Sequence, residues 1–319
     1  MTNVVVIAPG PQIYVDHLAA AFPDLTVASA DLPGEAIEAA LADAEVLVTA
    51  GMGPGGAYVT PELTARMPRL RWVQGIAAGY DHLVAGLVDR PEVVLTSGVG
   101  IHGPQISEIV ALHMIGLKRH VKRIVRNQDA HRWELIVGEI LDGLTMGVVG
   151  LGPVGARVAR VGKAFGMHTR GLARSTRYAS EVDHFHPPSE LHEMAAEVDF
   201  LVLTLPLTPE TDKLVDRSVL AAMKPTACLV NVARGGVVDE EALIEALRDG
   251  TIAGAGLDVF TQEPLPADSP LWDMDNVVIT THFAGFHTRY AEQVLTIIEP
   301  NVRHYLAGEL DRLVNVVAR

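Results

Sequence analysis

Four ionisable residues in the second half of the chain each follow a strand-like apolar run: Arg234 in Val232-Ala233-Arg234-Gly235-Gly236, Asp258 in Gly256-Leu257-Asp258-Val259-Phe260, Glu263 before Pro264, and His282 in Thr281-His282-Phe283-Ala284-Gly285. Taken singly each has a bland reading, because a loop Arg or Glu is usually a surface charge and a lone His usually structural. Taken together they suit reduction of a 2-oxo acid. That reaction needs a cation for the carboxylate and carbonyl, a proton donor working near neutral pH, and a hydride donor alongside. Arg234 can be the cation, since a guanidinium stays charged and binds a carboxylate through two parallel hydrogen bonds. His282 can be the proton donor, because an imidazole titrates at ~6.5 and a carboxylate on its other ring nitrogen would fix the tautomer. Glu263 is the candidate for that carboxylate.

A hydride donor implies a dinucleotide site, and Gly150-Leu151-Gly152-Pro153-Val154-Gly155 supplies one in context: it follows the apolar run at 147–149 and opens a helical stretch at 156–165. Gly150 allows the tight turn, Gly152 lets backbone approach a pyrophosphate, and Gly155 permits close helix packing. A purely structural glycine turn is the competing reading. An NAD-preferring site would carry Asp or Glu at the end of the next strand. Here the chain reads Leu172-Ala173-Arg174-Ser175-Thr176-Arg177, and the acid is missing. Arg174 and Arg177, with Ser175, could hold a 2′-phosphate. The expectation is therefore NADP, with NAD possible if these arginines are merely solvated.

These residues need a scaffold that brings distant strand ends together. Strand-like runs at 4–7, 25–28, 46–49, 71–76 and 93–96 alternate with amphipathic stretches at 13–22 and 35–42, with turns at 9–11 and 53–56, as in an open parallel sheet. A helical pattern over 104–126 with apolar residues on two sides follows, which suits a domain connector and either a homodimer interface or burial within one subunit. A second series at 146–149, 169–172, 200–203, 229–232, 255–259 and 277–280 makes six strands, before a helical pattern at 287–306. Residues 313–317 are expected to return to the first domain.

Composition narrows the partners. The 319 residues suit two domains, and apolar residues, 49% of the chain, fall in runs too short to span a membrane. The first residues read as a strand rather than a signal peptide, and the single Cys228 sits in an apolar run, so a cytoplasmic protein with a buried thiol is expected. A net charge of −14 disfavours nucleic acid and anionic membrane. His184, His186 and His192 are expected on a solvent-facing loop, with no metal site. Asp81 and Asp239 read as helix starts, and Trp72, Trp133 and Trp272 as packing residues.

The sequence resembles the D-isomer-specific 2-hydroxyacid dehydrogenase family, which includes glyoxylate and hydroxypyruvate reductases, over nearly its whole length. The matching stretches are 77–81, 150–155, 205–208, 231–236, 256–260, Glu263-Pro264 and 282–285. The resemblance implies that Arg234, Glu263 and His282 form the catalytic trio and that backbone N–H groups around Ala78 and Gly79 bind the substrate carboxylate opposite Arg234. It places Asp258 at the nicotinamide end. It also assigns Pro153, Val154, Leu205, Pro206, Thr211, Ala233, His282 and Gly285 to the cofactor. The implied fold is α/β, two open parallel-sheet domains in which a Rossmann dinucleotide-binding domain (100–285) is inserted into a flavodoxin-like substrate domain (1–99 and 286–319). The chain would cross between them near 98–102 and 285–287, where closure would exclude water. Three departures stand out: Thr281 replaces a frequent Pro, Phe283 replaces a smaller aliphatic, and the acid after Leu172 is absent.

Two alternatives share this scaffold. A cofactor-sensing binding protein similar to C-terminal binding protein corepressors would capture a partner without oxo-acid turnover. A formate or phosphite dehydrogenase would reduce cofactor with those substrates. The side chain of the substrate is not legible, because loops such as 50–56 and Tyr80 would shape its pocket.

Overall fold

Strands that are apolar at every position, rather than at alternate ones, belong in sheets covered on both faces. In the computed structural model, which describes residues 2–31, 37–53 and 56–317, the chain forms two units, 1–101 with 287–319 and 102–286. The turn expected at 53–56 lies partly, and the helix start at 35–36 wholly, outside the described residues.

The first unit contains β1 (Asn3–Ile7), α1 (Gln12–Ala21), β2 (Thr26–Ala30), α2 (Glu38–Asp43), β3 (Val46–Thr49), the short β4 (Met52–Gly53) and β5 (Gly56–Ala57), α3 (Pro61–Ala65), β6 (Trp72–Gly75), α4 (Asp81–Gly86) and β7 (Val94–Thr96). β2-β1-β3-β6-β7 is a parallel sheet in the flavodoxin-like order. Along β1, Val4 and Val6 enter one core and Val5 and Ile7 the other, as a two-residue period requires. Tertiary return of the C-terminal segment occurs as expected: Val316 bridges Thr96 antiparallel and Leu313 is buried. Trp72 is buried and bonds Thr96 Oγ1 at 2.8 Å. Asp81 is not the capping residue; it is the first residue of α4, behind Tyr80.

The second unit runs α5 (Gly103–Lys118), α6 (Val121–Asp129), β8 (Thr145–Val149), α7 (Pro153–Ala164), β9 (His168–Leu172), β10 (His184–His186), α8 (Leu191–Glu197), β11 (Phe200–Leu203), α9 (Arg217–Ala222), β12 (Cys228–Asn231), α10 (Glu240–Arg248), β13 (Gly254–Leu257) and β14 (Val277–Ile279). Its sheet is parallel in the order β10-β9-β8-β11-β12-β13-β14. This is the Rossmann order with one further strand, and the order reverses beside β8. Phe200 and Val202 face one core and Leu201 and Leu203 the other. Asp216 and Asp239 cap α9 and α10, the latter as expected. The first unit takes up the chain again in α11 (Tyr290–Leu306).

Three expectations need correction. The helix expected over 104–126 is broken, because His120 adopts φ +54°, a left-handed conformation that ends α5 before α6 begins. His184 and His186 lie on a seventh strand at the sheet edge instead of a solvent-facing loop; His186 is buried and its Nδ1 pairs with Glu190 at 2.9 Å. Trp133 does not pack: it is fully exposed, in an irregular segment that also exposes Leu135, Val137 and Ile140. Trp272 is partly exposed, its indole N–H on Pro266 O at 2.9 Å. Cys228 is buried as expected, and burial pushes its thiol up to about 11. No helix among the described residues is long and apolar enough to cross a membrane.

Candidate functional site

Because the strands of the second unit are parallel, their carboxyl ends share one edge, and the residues with chemical potential leave from that edge. β8 ends at Val149 and turns at Gly150, whose φ is +97° and where a Cβ would lie 2.8 Å from Leu205 N. Only glycine meets both demands. Gly152 caps α7, and a Cβ there would find nothing nearer than Gly150 O at 4.0 Å. The backbone is thus open to a ligand at the helix start. A Cβ on Gly155 would lie 2.5 Å from Gly150 O, so the helix sits tight on the turn. Pro153 occupies the first helical position, where a missing N–H is harmless, and Val154 follows in the first turn, whose N–H groups point at any anion placed there. These features fit a dinucleotide pyrophosphate.

Two loops flank that turn. After Leu172, Arg174, Ser175 and Arg177 are exposed; Ser175 Oγ accepts the Arg177 N–H, and the Arg177 guanidinium lies 5.4 Å from the Tyr178 ring centroid. Beyond β11, Leu205 packs on Gly150. Thr211 Oγ1 donates to Pro206 O at 2.7 Å and accepts the Thr208 N–H at 2.7 Å, which closes the loop on itself. Arg174 faces this loop, since its charge helps hold the Glu210 carboxyl low, after larger contributions from Thr208 and the backbone.

The ionisable residues converge through close backbone approach. Asn231 at the end of β12 accepts the Ala233 N–H at 3.0 Å and donates to Arg234 O at 3.0 Å, clamping the turn that presents Arg234. At the next residue, Gly235, a Cβ would fall 1.9 Å from the Phe260 carbonyl carbon. The Arg234 and Phe260 loops therefore touch backbone to backbone. Glu263 Oε1 accepts the Phe260 N–H at 2.9 Å, and Oε2 lies 2.6 Å from His282 Nδ1. Burial alone would raise the Glu263 carboxyl, yet the His282 hydrogen bond, the Phe260 N–H and the charges of His282 and Arg234 outweigh it and hold it below its usual range. Arg234 is thus near enough to be felt. His282 Nε2 has no partner among the described residues, and the side chain is 46% exposed, so that nitrogen is available to a ligand.

Asp258 is 1% exposed and organises the loop that carries His282. Its carbonyl oxygen accepts the His282 N–H at 2.7 Å. Its carboxylate accepts Thr280 Oγ1 at 2.5 Å, the Phe283 N–H at 3.2 Å and the Ala284 N–H at 3.1 Å. His282 itself sits at φ +52°. Gly285 O lies 3.4 Å from Gln105 Nε2, and a Cβ on Gly285 would press on His102. Ala78 and Gly79 belong to the first unit, half-buried beyond the carboxyl end of β6. Sequence reasoning missed the anchoring roles of Asn231, Thr280 and the Phe260 N–H. Asn231 alone carried a signal, as a buried amide at a strand end.

Residues 111–284 match the family model described as D-isomer specific 2-hydroxyacid dehydrogenase, NAD binding domain. The chain is 39% identical over 260 residues to glyoxylate/hydroxypyruvate reductase B of Pectobacterium atrosepticum, covering 79% of each. A D-isomer specific 2-hydroxyacid dehydrogenase family protein from Aeromonas salmonicida superposes with a TM-score of 0.87 at 32% identity over 99% of both chains. An NADPH-dependent glyoxylate/hydroxypyruvate reductase from Sinorhizobium meliloti, solved with NADP and sulfate, gives 0.84 at 29% identity, covering 99% of this chain and 98% of that one.

Proposed function

The chain belongs to the D-isomer specific 2-hydroxyacid dehydrogenase family, and from that premise we propose that it reduces glyoxylate or hydroxypyruvate with NADPH. Its reaction class is NAD(P)H-dependent reduction of a small 2-oxo acid. The likenesses favour neither a cofactor-sensing corepressor nor formate or phosphite chemistry. The observation that carries the residue roles is the 2.6 Å contact of His282 with a Glu263 that also feels Arg234.

Gly150, Gly152, Pro153, Val154 and Gly155 hold the pyrophosphate, with Leu205, Pro206, Thr211, Ala233 and Gly285 lining the remaining length. Arg174, Ser175 and Arg177 receive the 2′-phosphate, where an acid would repel it. The bound nicotinamide supplies the hydride. Arg234 binds the substrate carboxylate and polarises the carbonyl. Glu263 accepts the Nδ1–H of His282, and in the doubly protonated ring the Nε2–H faces the substrate oxygen. As the carbonyl bond becomes an alkoxide, that oxygen takes the Nε2 proton, and the ring regains a proton from water. Asp258 keeps the His282 loop in place at the nicotinamide end.

The exposed apolar segment with Trp133, Leu135, Val137 and Ile140 supports a homodimer, since so much apolar area together is unusual on a lone subunit. A lone buried thiol suits the cytoplasm. The test is a steady-state assay of nicotinamide absorbance with NADPH and NADH against a panel of 2-oxo acids. Turnover of glyoxylate and hydroxypyruvate, faster with NADPH, is expected. Turnover confined to bulky aliphatic or aromatic oxo acids, or preference for NADH, would reject the specific assignment.

A further inference from the structure

α5 buries a histidine that the reaction described above does not use. His113 is 0% exposed, and its Nε2 lies 3.1 Å from Thr280 Oγ1. The Thr280 hydroxyl has one proton and gives it to Asp258 Oδ1 across 2.5 Å. The contact with His113 must therefore be a bond in which the ring Nε2–H donates to the hydroxyl oxygen. That leaves Nδ1 without a proton, and Nδ1 is buried with no hydrogen-bond partner among the described residues. Burial pushes the imidazole down to about 4, against the pull of Asp258, which agrees with a ring carrying a single proton. The opposing strand is cut away for it: a Cβ on Gly256 of β13 would come within 2.6 Å of His113 Cβ. An unpartnered buried nitrogen is unfavourable, and an apolar side chain would avoid it. The N–H directed at Thr280 is what the imidazole adds.

We infer that His113 is a positioning residue whose Nε2–H orients the Thr280 hydroxyl onto Asp258, so that Asp258 holds the Phe283 and Ala284 backbone and keeps His282 in its left-handed conformation. The chain of contacts runs from α5 through β14 to the loop after β13, all within one unit. A left-handed histidine needs such external support, because the conformation is disfavoured for a residue with a Cβ. The inference rests on reading His282 as the proton donor.

The experiment uses His113→Met, His113→Gln, Thr280→Val and the His113→Met/Thr280→Val double variant of the full chain. Two quantities are read: kcat and KM with NADPH and hydroxypyruvate, and hydrogen exchange of segment 281–285 without substrate. His113→Met and Thr280→Val are each expected to lower kcat about tenfold with little change in cofactor KM, and to speed exchange of the segment. The double variant should fall no further than the worse single, as members of one network do. His113→Gln, whose amide N–H can take the place of Nε2–H, should recover most of both quantities. Multiplicative losses, unchanged exchange, or a Gln variant as impaired as Met would overturn the inference. Should His113→Met fail to fold, His113→Gln and Thr280→Val carry the test: unchanged exchange in Thr280→Val, or a Gln variant as impaired as Thr280→Val, overturns the inference. Should the wild-type protein reduce no 2-oxo acid, the functional reading fails while the exchange data still decide the positioning role.

Discussion

His282 Nδ1 and Glu263 Oε2 stand 2.6 Å apart, although the two residues leave the sheet from different strands. The carboxylate fixes a proton on Nδ1 and turns Nε2 outward, and Glu263 keeps its own charge because its surroundings hold it low. Replacing His282 with Ala is expected to lower kcat by about 10²- to 10⁴-fold, the usual worth of a general acid, with a much smaller change in KM. Steady-state kinetics with either cofactor measure this. Because the Glu263 carboxyl lies below its ordinary value, its protonation should not limit activity until the pH falls below about 4.5. A pH–rate profile of a variant with normal His282 but Glu263→Gln should lack that acid limb.

Arg234→Lys keeps the charge but loses the fork that grips a carboxylate at two points. A lost charge-assisted hydrogen bond is worth about 1.5–3 kcal/mol, so kcat/KM for the oxo acid should fall by roughly ten- to a hundredfold. Cofactor KM should hardly move. An equal loss in the two constants would place Arg234 on the cofactor instead.

Gly235→Ala tests the backbone contact that brings the trio together. Its new Cβ would fall 1.9 Å from the Phe260 carbonyl carbon, so one loop must retreat. Overpacking of this kind costs about 1–3 kcal/mol, and displacement of Glu263 should lower kcat as well. Thermal unfolding and kinetics together check it.

The pH dependence of stability should carry a mark of His113. Its folded-state value is about 4 against 6.5 in the unfolded chain, so the unfolded state binds the extra proton. Stability from this group is therefore present above about 6.5 and lost as the pH falls towards 4, by about 3 kcal/mol in all. Denaturant unfolding of wild type and His113→Gln at pH 7 and pH 5 should show the gap between them shifting in favour of the variant at the lower pH.

Arg174→Ala and Arg177→Ala should raise KM for NADPH roughly tenfold or more while leaving NADH little changed. Loss of both cofactors alike would mean that these side chains support the loop instead of a 2′-phosphate.

Much of this site was legible because parallel strands oblige ligand-bearing residues to leave from one edge. Val46–Thr49 and Phe200–Leu203 have the boundaries expected from their apolar runs, and Arg234, Glu263 and His282 could be picked out as following such runs. What stayed hidden depended on contacts between segments remote in the chain. His113 reads as one polar position in an apolar helix until Gly256 and Thr280 are placed against it. Trp133 looks like core by type, yet no element among the described residues covers it. The break at His120 was missed because the apolar pattern continues through it, while the termination is a matter of one backbone angle. The β10 edge strand, His184–His186, is too short and polar for a pattern to reveal.

The most direct measurement is isotope transfer. The protein is incubated with hydroxypyruvate and NADPH carrying deuterium at the transferable position of the nicotinamide C4, and the product is examined for label and configuration. Deuterium on C2 of the D-2-hydroxy acid, at a rate that collapses in the His282→Ala protein, is the expected result. Label retained in the cofactor, or delivered to the L-enantiomer, would contradict the account.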